Sequence, residues 1–127
     1  MIHSVQFCKM HGAGNDYIYI DATREWPVFD LHLLARKVSD RHFGIGADGL
    51  VVLLPSLRAD LRMRMFNADG SEAQMCGNAS RCIALFARSR GLVHDDTFTL
   101  ETNAGIKALR INRGDNGAVH SVTVDMG

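Results

Sequence analysis

The sequence predicts an α+β domain whose curved, largely antiparallel or mixed sheet wraps around one central buried helix. Strand-like runs outnumber helical ones, and most neighbouring strand runs are joined by turns too short for a parallel crossover. One helical run, residues 82–87, is apolar on nearly all sides. A helix of that kind is surrounded by other elements rather than lying on a sheet with one face in water. We therefore expect the 127 residues to form a single unit with a helix inside its sheet.

The first third of the chain predicts two strands and a helix. Residues 3–9 alternate apolar and polar side chains, and residues 17–20 are aromatic and β-branched, which indicates a strand on each side of a glycine-rich turn at 11–16. Asp30 is the expected N-cap of a helix over 31–40, because apolar side chains recur there at helical spacing.

The rest of the chain predicts five strands and the central helix. A wholly apolar run at 50–54 is typical of a buried strand, and residues 61–65 alternate apolar side chains with arginine, as in a half-buried strand. After a polar turn, a helix should begin close to Asn78 and stop at Gly91. The tail then predicts an antiparallel meander of three strands, at 97–103, 106–112 and 118–125.

Charge and cysteine content exclude several classes of function. The 14 lysines and arginines balance 14 acidic residues, so the chain lacks the basic surface that nucleic acid or an anionic membrane requires. Three unevenly spaced cysteines do not form a disulfide framework, and the N-terminus lacks the pattern of a secretory signal. We therefore expect a cytoplasmic protein with no nucleic-acid or membrane partner.

Some local patterns imitate known motifs. Residues 44–49 match G-x-G-x-x-G, but the match follows a predicted helix and opens into a strand, the reverse of a dinucleotide-binding turn. Residues 78–80 match a glycosylation sequon at a helix start. The six histidines show no paired spacing, so no metal site is expected.

Cys76 is the residue with the clearest chemical setting. It precedes Gly77 and Asn78 at the mouth of the predicted central helix, where unpaired N–H groups and the positive end of the helix dipole favour a thiolate and a bound anion. The alternative is a small buried residue in a turn. Cys8 and Cys82 lie in a predicted strand and in the apolar helix, so both are interpreted as core residues.

Three asparagines lie in glycine-flanked turns, namely Asn15, Asn67 and Asn78. Taken singly, each is as readily explained as a turn former, because asparagine hydrogen-bonds its own backbone. If the fold brings them together, neutral donors and acceptors would recognise a zwitterion.

Four segments in order along the chain resemble diaminopimelate epimerase, a member of the pyridoxal-phosphate-independent amino-acid racemases. They are KMHGAGNDYIYID (9–21), GIGADGL (44–50), FNADGSEAQMCGNASRC (66–82) and ETNAG (101–105). In that family each of two similar domains is a curved sheet around a central helix, and an amino-acid substrate lies in the cleft between them. The resemblance therefore agrees with the enclosed helix expected from the apolar pattern.

The resemblance implies interconversion of L,L- and meso-diaminopimelate, in lysine and peptidoglycan precursor biosynthesis, without a cofactor. One cysteine thiolate removes the α-proton while a second thiol protonates the opposite face. Cys76 matches the first of these cysteines, and Gly77 and Asn78 match contacts to the α-carboxyl and amino end of the substrate. Asn15 and Asn67 match amide contacts to the substrate. A homodimer is one state open to the full-length protein.

Three departures from the family pattern qualify this expectation. The chain has GNASR where many members have GNGAR, and Gly49 where some members place a substrate-binding glutamine. No second catalytic cysteine is found, since neither Cys8 nor Cys82 lies in a matching motif. Residues 1–127 are therefore expected to be a single N-terminal epimerase domain that lacks the second domain, holds half of an active site and is inactive alone.

Two alternatives stay open from the sequence. One is a sister racemase for another amino acid, such as proline or histidine, with the same cysteine chemistry. The other is a noncatalytic binding or assembly domain, which a Cys76 pKa near the ordinary thiol value of about 8.5 would favour.

Overall fold

The computed structural model describes residues 7–12, 15–24, 30–42, 44–74 and 77–125. These residues form eight strands and two helices. In chain order they are β1 (Phe7–Gly12), β2 (Asn15–Asp21), α1 (Leu31–Ser39), β3 (Gly49–Leu54), β4 (Leu61–Asn67), β5 (Glu72–Ala73), α2 (Gly77–Ser89), β6 (Thr97–Thr102), β7 (Gly105–Arg113) and β8 (Val119–Asp125).

One mixed sheet contains all eight strands, in the order β1-β2-β3-β4-β6-β7-β8, with β5 beside β4. The β2–β3 and β4–β6 pairs are parallel, and the other pairs are antiparallel. Parallel neighbours need a long crossover, and the two helices provide it: α1 lies between β2 and β3, and α2 lies between β4 and β6. The predicted α+β class with a largely antiparallel, mixed sheet is confirmed.

The sheet encloses α2. This helix contacts β1 and β2 on one side and β7 and β8 on the other, and β1 and β8 are the two ends of the strand order. The sheet must therefore curl around the helix. The α2 side chains in the resulting core are those of Ala79, Cys82, Ile83, Ala84, Phe86 and Ala87. The prediction of a central buried helix is confirmed, and Cys82 lies in the core as expected, with Cys8 packed against the same cluster.

The other helix covers the opposite face of the sheet. Leu31 and Ala35 of α1 pack with side chains of β2, β3 and β4 in a second cluster. Both faces of β3 are thereby covered, and all six of its residues are buried. This explains why 50–54 is wholly apolar instead of alternating.

The start of α1 is capped as predicted. The side chain of Asp30 accepts hydrogen bonds from the backbone N–H groups of His32 (2.9 Å) and Leu33 (3.4 Å). The helix ends at Ser39, one residue before the predicted end. No helix among the described residues is long and apolar enough to cross a membrane.

The glycine-rich segment near the N-terminus differs from the prediction. The expected turn at 11–16 is mostly strand, because β1 continues to Gly12, β2 begins at Asn15, and these two residues pair across the hairpin. Turn-forming residues indicate where a chain can reverse, but ladder hydrogen bonds to a neighbour extend the strands into that segment. The predicted strand start at residue 3 lies outside the described residues.

A second difference is the short strand β5, which interrupts the polar turn expected between β4 and the central helix. Glu72 and Ala73 pair with Phe66 and Met65 of β4. Two residues are too few to produce a period-2 pattern in the sequence, so local reasoning could not find this strand. α2 itself begins at Gly77, one residue before the predicted start.

Candidate active site

Strand register brings the asparagine-bearing segments to one edge of the sheet. Gly49, the first residue of β3, pairs with Tyr17 of β2 on one side and with Asn67 of β4 on the other. Asn15 begins β2 two residues before Tyr17, and Asn67 ends β4. The backbones of Asn15 and Asn67 therefore lie at the same sheet edge, as convergence of these residues requires.

The other predicted site residues follow β5. This strand ends at Ala73, and α2 begins at Gly77 with Asn78 as its second residue. Cys76 lies outside the described residues, as do the side chains of Asn15 and Asn78. Their roles in a site, and that of Gly77, stay predictions.

The N-terminus of α2 suits an anion. Its first turn carries no acidic residue that could satisfy the free N–H groups from within the helix. The positive end of the helix dipole therefore has no competing carboxylate in that turn, which favours a bound carboxylate or a nearby thiolate.

Asn67 is exposed at the end of β4 and closes a tight turn. Its backbone N–H donates to the carbonyl of Ser71 (2.8 Å), and its own carbonyl accepts from the N–H of Gly70 (2.9 Å). Its side-chain Nδ2 donates to the Ser71 hydroxyl (3.0 Å). The interpretation of Asn67 as a turn residue is thus correct, and the same position leaves its side chain accessible to a ligand.

The turn after Asn67 is fixed against α1. Nδ1 of His32 lies 2.8 Å from the carbonyl oxygen of Gly70, and the His32 ring makes an edge contact with the buried ring of Phe66. Gly70 has φ +91°, and a Cβ there would lie 2.7 Å from the backbone carbonyl oxygen of His32 in α1. Only glycine fits this close approach, so α1 determines where the turn lies.

A carboxylate in β5 joins two of the motif segments. Glu72 accepts two hydrogen bonds from Arg64 (2.8 and 2.9 Å) and one from Nδ2 of Asn103 (2.9 Å). The paired guanidinium of Arg64 is the main cause that lowers the pKa of Glu72 to about 2. Asn103 lies in the β6–β7 turn, within the ETNAG motif, so Glu72 ties that turn to the segment that leads into α2.

A second carboxylate joins the other two motif segments. Asp16, which is 8% exposed, pairs with Lys9 (3.3 Å) and Arg41 (3.4 Å). Asp16 and Asp48 also exchange hydrogen bonds, from N–H of Asp16 to the Asp48 carboxylate (2.9 Å) and from N–H of Asp48 to the Asp16 carbonyl (2.8 Å). Burial alone would raise the pKa of Asp16, but hydrogen bonds led by that from Lys9 outweigh it and lower the pKa to about 2. This cluster fixes the start of β2, directly after Asn15.

Sequence reasoning missed both carboxylate clusters. Arg64 and Glu72 are eight residues apart, and Asp16 and Asp48 are 32 apart. The sequence gives one weak indication of these clusters: Arg62 and Arg64 alternate with apolar residues along β4, and half-buried arginines need acidic partners. Among the described residues, no three His, Cys, Asp or Glu side chains group closely enough to hold a metal ion.

Gly49 lies where the packing of neighbouring strands leaves no room for a side chain. A Cβ at this residue would lie 2.2 Å from the carbonyl oxygen of Phe66 and 2.9 Å from the ring of Tyr17. A glutamine could therefore enter only if the strands moved apart. Glycine itself has no side chain, so this position cannot supply the contact that the resemblance implies for a glutamine.

Replacing Gly49 with alanine should lower the free energy of unfolding by about 2 to 4 kcal/mol, because the new methyl group meets backbone rather than a flexible side chain. Gly114→Ala is the matched control, since a Cβ there makes only ordinary contacts, the nearest at 3.5 Å. Urea denaturation of the two variants checks the expectation. Equal midpoints for Gly49→Ala and the parent chain would contradict it.

Comparisons with known proteins agree with this geometry. The diaminopimelate epimerase family model matches residues 7–127. Curated diaminopimelate epimerases from Desulfovibrio desulfuricans and Acetivibrio thermocellus are 53% and 54% identical over 100% and 97% of the chain. The chain spans 44% and 43% of those two relatives, so it covers less than half of their length.

Solved structures show the same fold at lower identity. A hydroxyproline epimerase from Agrobacterium vitis, with bound trans-4-hydroxy-L-proline, superposes with a TM-score of 0.71 and 22% identity, covering 94% of this chain and 40% of that one. A phenazine biosynthesis protein of the PhzF family from Bacillus anthracis superposes with a TM-score of 0.66 and 26% identity. That match covers 94% of this chain and 38% of the other. The solved structures show the shared fold, and the family model over residues 7–127 places the chain in the diaminopimelate epimerase family.

Proposed function

We propose that this chain supplies one half of the active site of a cofactor-free epimerase that interconverts L,L- and meso-diaminopimelate, a step of lysine and peptidoglycan precursor biosynthesis. The observation that carries the proposal is the identity of more than half of all residues, over nearly the whole chain, with relatives named diaminopimelate epimerase. The position of the Asn15 and Asn67 backbones at one edge of the sheet supports the proposal independently of the relatives' names.

In the proposed mechanism Cys76 acts as base for one stereoisomer and as acid for the other. Its thiolate takes the α-proton of the substrate, and the electron pair of the broken C–H bond stays on the α-carbon as a carbanion. A second thiol protonates the opposite face, which inverts the centre. Because the α-proton is weakly acidic, donors already directed at the α-carboxylate must stabilise the developing charge.

The chain's own residues would perform the binding steps. Gly77 and Asn78, at the N-terminus of α2, hold the α-carboxyl and amino end, while Asn15 and Asn67 provide amide contacts. The charge clusters of Asp16 and Glu72 hold these segments in place. Such preorganisation matters because the donors then need not move as charge develops.

The second thiol would come from outside residues 1–127, because the other two cysteines of the chain, Cys8 and Cys82, pack against or in the core around α2. The curated relatives are more than twice as long as this chain, which supports a C-terminal half as the source. We therefore treat residues 1–127 as the N-terminal domain of the proposed two-domain enzyme and the C-terminal domain as its partner.

A chimera tests this function. The chain is fused to the C-terminal half of the Desulfovibrio desulfuricans relative and incubated with L,L-diaminopimelate in deuterated water, with the complete relative as positive control. We expect deuterium at the α-carbon and formation of the meso isomer by the chimera, and neither by the chain alone. Turnover by the chain alone at rates near those of the complete relative would overturn the half-site proposal.

Two further measurements discriminate the alternatives. If the folded chimera inverts proline or hydroxyproline and leaves diaminopimelate unchanged, the sister-racemase function replaces the proposed one. If the folded chimera inverts none of these and the Cys76 thiol titrates near about 8.5, the domain serves a noncatalytic role.

A further inference from the structure

The side chain of Asn67 belongs to a chain of hydrogen bonds whose direction can be worked out from donor counts. The Ser71 hydroxyl lies 2.6 Å from Oδ1 of Asp69, and the N–H of Ser71 donates to the same oxygen at 2.9 Å. Nδ2 of Asn67 lies 3.0 Å from the Ser71 hydroxyl oxygen. Three side chains of one turn are thus connected in sequence.

Asp69 determines the direction of this chain. The two hydrogen bonds from Ser71, the hydroxyl foremost, lower the pKa of Asp69, so its carboxylate is ionised at neutral pH and only accepts. Ser71 has one hydroxyl proton, and the 2.6 Å contact commits that proton to Asp69. The Ser71 oxygen can then only accept from Asn67.

The orientation of the Asn67 amide follows. Only the NH₂ side of an amide can donate, so Nδ2 must face Ser71 and the carbonyl oxygen Oδ1 must face away. No described residue donates a hydrogen bond to Oδ1, and one N–H of Nδ2 is likewise left over. Asn67 therefore presents one acceptor and one donor from a fixed amide plane.

The backbone beneath this chain is held independently. Gly70 is fixed against α1 through His32, and the Asn67 and Ser71 backbones bond each other. Removing the Ser71 hydroxyl should therefore release the amide of Asn67 without unfolding the turn.

We infer that Ser71 and Asp69 are positioning residues that set the polarity of Asn67, so that its carbonyl oxygen accepts from an ammonium donor of the substrate and its free N–H donates to a carboxylate. The inference rests on the proposed function, because it requires an amino-acid ligand at this edge. An amino-acid group offers both an ammonium and a carboxylate, which match the two exposed partners of the amide.

Kinetics of the chimera test the inference. Ser71→Ala should raise KM for diaminopimelate about tenfold, the usual cost of one misdirected hydrogen bond, and change kcat by less than about threefold. Ser71→Thr keeps the hydroxyl and should restore KM. Asp69→Asn can donate as well as accept, so it relaxes the direction of the chain and should raise KM as well.

Ser121→Ala is the matched control. Ser121 also accepts a hydrogen bond from an asparagine Nδ2, that of Asn112 at 3.1 Å, but it lies in β8. The KM of the Ser121→Ala chimera for diaminopimelate should equal that of the parent chimera. An unchanged KM in Ser71→Ala, or a loss of kcat and thermal stability that Ser71→Thr does not rescue, would overturn the inference.

Spectroscopy separates this inference from the proposed function. In chimera labelled with ¹⁵N-asparagine, Ser71→Ala should move the resonance of the Asn67 Nδ2 proton that bonds Ser71 upfield and speed its exchange with solvent, with little change at the other Nδ2 proton. If the chimera proves inactive while Ser71→Ala has this effect, the proposed function fails and the amide orientation stands. If Ser71→Ala leaves both Nδ2 proton resonances unchanged, the inference fails whatever the activity.

Discussion

Replacing Cys76 with alanine should lower kcat of the chimera for diaminopimelate by about 10³-fold or more, because the variant lacks one of the two groups that move the proton. The loss should also be asymmetric. The second thiol can still remove the proton that faces it, so α-proton exchange without inversion is expected from one stereoisomer at most. Deuterium incorporation measured by mass spectrometry, with chiral separation of the isomers, distinguishes exchange from inversion.

The remaining cysteines provide controls for this experiment. Cys8→Ala removes a half-buried thiol of β1, and Cys82→Ala removes a buried one of α2. Both pack in or against the α2 core, so they should cost some stability and leave the proton transfers in place. If Cys82→Ala abolished inversion while Cys76→Ala retained it, the assignment of Cys76 would be wrong.

Replacing Glu72 with glutamine should lower the free energy of unfolding by about 2 kcal/mol at neutral pH, since the half-buried Arg64 loses its paired carboxylate. The pH dependence has a definite sign. The pKa of Glu72 is about 2 in the folded chain against an ordinary 4.5, so its contribution is complete above pH 4.5 and declines as the pH falls towards 2. The difference between parent and variant should therefore shrink over that range in urea titrations.

The same substitution should affect the thiol. Glu72 anchors the strand that leads into α2, so loosening it should raise the pKa of Cys76 and slow its alkylation by iodoacetamide at neutral pH. Asp96→Asn is the matched control, because Asp96 also accepts two hydrogen bonds from one arginine, Arg113, at the surface. It should leave the alkylation rate unchanged. Equal effects of both substitutions on the thiol would refute the positioning role of Glu72.

Hydrophobic periodicity and local sequence pattern predicted the elements whose burial involves residues close together in the sequence. The apolar run of β3, the Asp30 cap of α1 and the enclosed middle of α2 were all readable, because burial imposes a local pattern on residues that are close in sequence. The match to the family segments likewise identified the family, and the family model covering residues 7–127 confirms it.

Pairing between distant segments could not be read in that way. The continuation of β1 and β2 through the glycine-rich segment depends on ladder hydrogen bonds, and β5 exists only because β4 lies beside it. The partners Arg64 and Glu72 became apparent only when that pairing was known. The sequence position of a carboxylate does not indicate which cationic side chain it will pair with.

Sequence alone determined the fold class, the family and the identity of the candidate residues, because these depend on composition, local pattern and motif. Only the tertiary structure decided that Asn15 and Asn67 share an edge through Gly49, that Gly49 admits no side chain, and that Asp69 and Ser71 orient the Asn67 amide. The reason is geometric, since register and hydrogen-bond direction depend on how separate segments are brought together in space.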